Sequence, residues 1–195
     1  MGEPLVKGVW FVTARRYIVE EDGEAALAAV AEHMPEAERR VFGDALPSEW
    51  FPESVLQRAM EAVQRALTGH DDALFLAFIE GSTELGVNTF FRVLLKIASP
   101  AFLMRQMPAA WGTHRRDGGT VDVDADDKGA RLHYAGFPFW ADRNYRVSTQ
   151  GVLRKVTELC TGVSPRVREV AYGEDWFDVE VAYGLLRPTQ PPQSL

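Results

Sequence analysis

The sequence predicts an α+β fold: a helical N-terminal half followed by β-β-α-β-β, with a four-stranded antiparallel sheet packed on helices. Three observations carry this. Up to Trp111 the apolar residues recur at spacings of three and four, the period of a half-buried helix. From Thr120 onward, short segments alternate apolar and polar residues and are joined in pairs through Gly-containing turns, as hairpins are. Between the two pairs lies one long helical pattern. At 195 residues, 46% of them hydrophobic, a single core suffices. Residues 1–188 are therefore expected to form one ligand-binding-like domain. Residues 189–195, with two prolines and no apolar pattern, are expected to be a flexible tail.

Taken in order, Leu5–Glu21 reads as a first helix with Val6, Trp10, Thr13 and Tyr17 on one stripe. Glu24–Met34 is alanine-rich and of high helix propensity; Asp22 precedes it and Pro35 stops it. Pro35–Phe42 reads as a further helical turn. Gly43–Ser54 is a loop in which Trp50 and Phe51 pack the chain down. Pro52–Leu67 is helical, with Val55, Ala59, Ala62, Val63 and Ala66 inward. Gly69-His70-Asp71-Asp72 ends it and caps the next helix, Ala73–Leu85, where Gly81 and Gly86 permit close helix contact. Asn88–Trp111 is the most apolar long run, and Ser99-Pro100 divides it into two helices, since Ser followed by Pro makes an N-cap and first turn.

Gly112–Gly119 is then a polar turn. Thr120–Ala125 (TVDVDA) is a strand with Val121 and Val123 inward, Asp126–Gly129 a hairpin turn, and ARLHYAG the returning strand. The aromatic loop FPFWADRNY leads into the helix Tyr145–Thr161. Pro165–Tyr172 and Trp176–Tyr183 are two more strands, the last with Phe177, Val179, Val181 and Tyr183 on one side.

The balance of charges excludes some roles. A net charge of −7 argues against nucleic-acid binding, which needs a basic face, and against docking on anionic membranes. Arg39-Arg40 and Arg115-Arg116 read as solvated surface. A lone cysteine, Cys160, permits no intrachain disulfide and no thiolate zinc cluster. No stretch of eighteen unbroken apolar residues occurs, so no membrane insertion is expected. The N-terminal residues lack a signal-peptide pattern, and Val6 stands where myristoylation wants Ser or Thr. The expected location is cytoplasmic.

Catalytic and metal motifs are weak. Asp122-x-Asp124-x-Asp126 opens like a calcium loop, but Asp127 replaces the turn glycine and His133 the bidentate Glu. A solvated hairpin explains it. His33, His70, His114 and His133 are scattered, and only His114, just after the central helices, is a candidate polar contact. Cys160 lies on an apolar helix face with no partner base, so no catalytic or metal residue is assigned. The protein is expected not to be an enzyme. The aromatic load is the stronger signal. Phe90, Phe91, Phe102, Trp111, Phe137, Phe139 and Trp140 fall where the central helices and the post-strand loop converge, either as plain core or as the lining of an apolar pocket.

Several stretches resemble a known superfamily. VKGVWFVTARRYIVEEDGEAALAAVAEHM is similar to the start of heme nitric-oxide/oxygen-binding domains and their heme-free relatives, and GGTVDVDADDKGARLHYAGFPFWADRNYRVSTQGVLRKVTELCTG to their sheet and helix. That superfamily includes 4-vinyl-reductase-type sensor domains and TRAPP vesicle-tethering subunits. A stand-alone bacterial family, abundant in myxobacteria, is nearest. It shares the pattern carried here by Leu94-Leu95, Ser99-Pro100, Phe102-Leu103, Pro108, Trp111 and Gly136–Phe139. Heme-binding members grip heme propionates through Tyr-x-Ser-x-Arg. Here the chain reads Tyr134-Ala135-Gly136-Phe137-Pro138, without the arginine fork, and no His lies within Phe102–Trp111. Heme is therefore disfavoured, and no cofactor is expected.

The resemblance implies a sensor-like domain that holds a small hydrophobic molecule between the Phe90–Trp111 helices and the sheet. Its expected lining is Phe90, Phe91, Leu94, Phe102, Leu103, Trp111, Tyr134, Phe137, Phe139 and Trp140, with Arg105 and His114 as polar contacts. A protein partner or a homodimer would read its occupancy. The alternatives are a scaffold subunit with a filled core, a heme-binding gas sensor and an enzyme on a hydrophobic substrate.

Overall fold

The computed structural model describes residues 2–87, 95 and 97–184. The chain opens on a strand, β1 (Leu5–Lys7), followed by α1 (Val9–Asp22), α2 (Glu24–Glu32), α3 (Glu36–Asp44), β2 (Trp50–Pro52), α4 (Glu53–Val63) and α5 (Asp72–Gly86). A single π-helical turn, Gln64–Thr68, extends α4. Then come α6 (Pro100–Arg105), α7 (Met107–His114), β3 (Arg115–Arg116), β4 (Thr120–Ala125), β5 (Gly129–Ala135), α8 (Arg143–Thr161), β6 (Arg166–Tyr172) and β7 (Trp176–Ala182).

The α+β architecture and the four-stranded antiparallel sheet are as expected. The strand order is β4-β5-β7-β6. Register places Val121 opposite Tyr134, and Leu132 between Val123 and Val179. Because side chains alternate faces along a strand, Leu132, Tyr134, Phe177, Val179 and Val181 all face inward and are buried. The outer face carries Asp122, Asp124, Arg131, His133, Asp178 and Glu180. Helix α8 packs on β6 and β7, and α6 and α7 pack over β4. Asp142 caps α8 by accepting from Asn144 N at 2.8 Å, Asp71 caps α5, and Ser99 caps α6 with Pro100 in its first turn.

A second sheet, β2-β1-β3, corrects the sequence reading. Leu5–Lys7 is a strand and not the first turn of a helix, Trp50–Pro52 is a strand inside the expected loop, and Arg115–Arg116 pairs with β1. These strands are two or three residues long, too short to show a period of two. They exist because segments remote in the chain meet: Val6 lies between Phe51 and Arg115. Gly8 makes the turn into α1, where a Cβ would lie 2.1 Å from the Leu46 carbonyl oxygen.

Candidate functional site

A cavity of about 120 Å³ lies among the helices. Its walls come from α1 (Trp10, Phe11, Ala14), α4 (Leu56, Ala59, Met60, Val63), α5 (Phe78, Ile79, Ser82) and α8 (Ser148, Thr149, Val152, Leu153). Phe42 and Tyr145 also border it, and Tyr134 closes one end from the sheet. The outer wall is α7. Met107, Ala110, Trp111 and His114 line the space at helical spacings of three and four, hence on one face. No residue of α7 is fully buried.

One end is polar. Glu53 is 0% exposed and Arg115 is 9% exposed, with Arg115 Nη2 donating to Glu53 Oε1 at 3.2 Å. Tyr145 Oη donates to the Glu53 carbonyl at 2.9 Å. The guanidinium of Arg115 sits 4.1 Å from the Trp111 ring centre and 5.5 Å from those of Trp10 and Phe137, an aromatic enclosure that suits a weakly hydrated planar cation. Burial pushes the Glu53 carboxyl above its ordinary range, with Arg115 opposing. Burial, then the charges of Arg115 and Lys7, hold His114 below its usual value, so its imidazole is favoured neutral. Four buried atoms here have no hydrogen-bond partner among the described residues: Trp10 Nε1, His114 Nδ1, Arg115 Nε and Glu53 Oε2.

The expected site residues divide. Trp111, His114 and Tyr134 line the cavity together. Phe137, Phe139 and Trp140 are not in its lining. Phe137 and Trp140, both 0% exposed, build an aromatic stack with Trp111, Tyr134 and Phe177, in which the Trp140 ring centre is 4.9 Å from that of Phe177. Those rings fill the space between α7 and the sheet, and the cavity lies on the helical side of them. Phe139 packs on Phe137 and Tyr145. Leu103 packs on the core, whereas Phe102 is 54% exposed. Arg105 donates to the carbonyl of Ala125 at the end of β4, so its charge is held at the sheet edge. Phe90, Phe91 and Leu94 lie outside the described residues.

Sequence reasoning missed Trp10, Glu53 and Arg115 as a group. Local pattern places Arg115 with Arg116 on the solvated surface. Only Arg116 is exposed, stacking on Trp50 at 4.1 Å. In a strand adjacent residues face opposite sides, so an Arg-Arg pair there has one member inside. That signal is usable only once β3 is known to be a strand.

Elsewhere the candidates are occupied by ordinary structure. Asp126 accepts from the backbone N–H of Lys128 and Gly129, which holds its carboxyl below the usual range. The half-buried Cys160 donates to the Ala98 carbonyl, and burial raises its thiol pKa. Among the described residues no helix is long and apolar enough to cross a membrane.

Solved structures of other proteins superpose on this fold. An H-NOX protein from S. oneidensis in the Fe(II) ligation state superposes with a TM-score of 0.67 at 14% identity, covering 93% of this chain and 100% of that one. An Fe(II) unliganded H-NOX protein from K. algicida gives 0.65 at 12% identity, covering 93% and 98%. An oxygen-binding H-NOX domain related to soluble guanylate cyclases gives 0.63 at 13% identity, covering 97% and 100%. The fold is H-NOX-like. At these identities the likeness establishes the H-NOX-like architecture and nothing of its chemistry. No family model matches the sequence, and no curated protein matches it.

Proposed function

We propose that this chain is a non-enzymatic, sensor-like module of cytoplasmic type, related to the stand-alone myxobacterial-type family. It would bind a small, mainly apolar molecule in the cavity bordered by α1, α4, α5, α7 and α8. The observation that carries this is the cavity itself: about 120 Å³ of largely apolar space inside a well-packed core, where voids larger than a water are few. A dry cavity of about 150 Å³ admits benzene, so the space suits a single ring. The driving force is removal of apolar surface from water, at roughly 25 cal/mol per Å² covered. Since α7 forms the outer wall and has no fully buried residue, filling the cavity would alter how α7 sits and so what a partner meets.

Another of the superposing structures probes the function of heme distortion in the H-NOX family. The residues of this chain do not fit that group. A porphyrin is several times larger than the ring this space accepts, and the stacked Trp111, Tyr134, Phe137 and Trp140 take up the adjoining volume. Arg115, the buried cation at the cavity, is already engaged by Glu53. Ligand entry is therefore proposed without a prosthetic group.

A second reading, a protein-contact surface, has one observation in its favour. Ile97 and Phe102, 77% and 54% exposed, stand close together in sequence across the Ser99-Pro100 bend.

Benzene tests the first reading. Titrated into the purified protein, it should bind with one site and raise the thermal midpoint, by mass action on the folded state. Ala59→Leu, which grows into the cavity, should abolish the shift. A wild-type protein whose midpoint is unmoved by saturating benzene would refute the reading.

A further inference from the structure

The cavity of the proposed sensor has a chemically distinct end, and resting on that reading we infer that its ligand is a small, planar, uncharged ring bearing one hydrogen-bond acceptor, such as a heteroaromatic nitrogen or an aromatic carbonyl. Trp10, His114 and Arg115 all border the space. The His114 ring lies 6.1 Å from that of Trp10, and the Arg115 guanidinium 5.5 Å from the same indole. Each of the three contributes one buried nitrogen without a partner among the described residues. Two of these, Trp10 Nε1 and Arg115 Nε, can only donate. Buried donors left unpaired are costly, and native proteins pair nearly all of them. An acceptor placed at this end satisfies a donor, while the ring occupies the apolar walls formed by Phe11, Ile79 and Leu153. The flanking indoles of Trp10 and Trp111 favour a planar body, since aromatic faces pair by stacking or edge-on.

The absence of charge follows from Glu53. Arg115 already pairs with this fully buried carboxyl. An anionic ligand taking over the guanidinium would leave Glu53 buried without its cation, a costly arrangement. A neutral acceptor uses Arg115 Nε and leaves the Nη2 contact to Glu53 in place.

Pyridine and benzene are nearly identical in size and shape and differ in one acceptor, so the pair isolates the claim. Titration calorimetry at mildly alkaline pH, where pyridine is neutral, should show pyridine binding about tenfold tighter than benzene, the scale of one net hydrogen bond. Trp10→Phe should bring the two affinities together. In the wild-type indole ¹H–¹⁵N spectrum, pyridine and not benzene should move the Trp10 N–H resonance downfield. That contrast is made on unmodified protein and holds even if Trp10→Phe folds poorly. Equal binding of the two probes, with the indole resonance unmoved, overturns the acceptor assignment and leaves the cavity reading standing. Benzoate binding more tightly than pyridine overturns the neutral assignment. Binding of none of the three overturns both the inference and the sensor reading beneath it.

Discussion

Arg115 and Glu53 show how much one pair of residues can impose. Both are buried, and each is the other's ionic partner. Removing one partner of such a pair leaves an uncompensated buried charge or polar group, at a cost of about 3–5 kcal/mol, whereas replacing both with apolar residues of similar volume is often neutral. Arg115→Met and Glu53→Leu should therefore each lower unfolding free energy by about that amount in urea titrations, and the double variant should recover most of it. His114 gives a second expectation. Burial holds it below its ordinary value of 6.5. A group with a depressed folded pKa contributes stability at pH above its unfolded value, and that contribution is lost as pH falls towards the folded value. Between neutral and mildly acidic pH the wild-type protein should thus lose more stability than His114→Asn, measured as the difference in urea midpoints.

At the scale of elements, α5 is held by close approach on two sides. A Cβ on Gly81 would lie 2.1 Å from Tyr17 Cε2 of α1, and one on Gly151 of α8 would lie 2.8 Å from Ile79 Cγ2 of α5. Helix propensity favours Ala over Gly by about 1 kcal/mol, but overpacking costs about 1–3 kcal/mol. Gly81→Ala should consequently destabilise the protein despite the better helix former. Gly43→Ala, in α3, where a Cβ would meet nothing within 4 Å, should leave stability unchanged or raised. Chemical denaturation of the two variants checks both signs. The role of Gly81 as a helix-contact residue is legible in the sequence, because a glycine inside an otherwise helical pattern has few other reasons to be there. The short strands β1, β2 and β3 are not. Their residues have no amphipathic repeat, and only pairing between segments far apart in the chain makes them strands.

For the whole molecule, the helices and the inner face of the four-stranded sheet share one continuous buried cluster, running from Val6 and Phe11 through Phe75 to Leu132, Trp140 and Val179. A single core of this kind should unfold as one unit. Urea transitions followed by far-ultraviolet circular dichroism and by tryptophan fluorescence should coincide. Separated midpoints would mean that the helical half and the sheet fold independently.

Local pattern alone determined the helices α1 to α5, the two hairpins, the caps Asp71 and Ser99, and which faces of the four-stranded sheet's strands turn inward, because helix and strand periods are written in neighbouring residues. It also marked Trp111, His114 and Tyr134, which do border the cavity, since they sit at the ends of recognisable elements. The tertiary structure alone decided that Phe137 and Trp140 fill space and do not line it, that Phe102 faces outward, and that Trp10, Glu53 and Arg115 converge. Those outcomes depend on the register of β1 against β2 and β3 and on how closely the helices approach. Both are set by contacts between residues remote in sequence, which no window of local pattern contains.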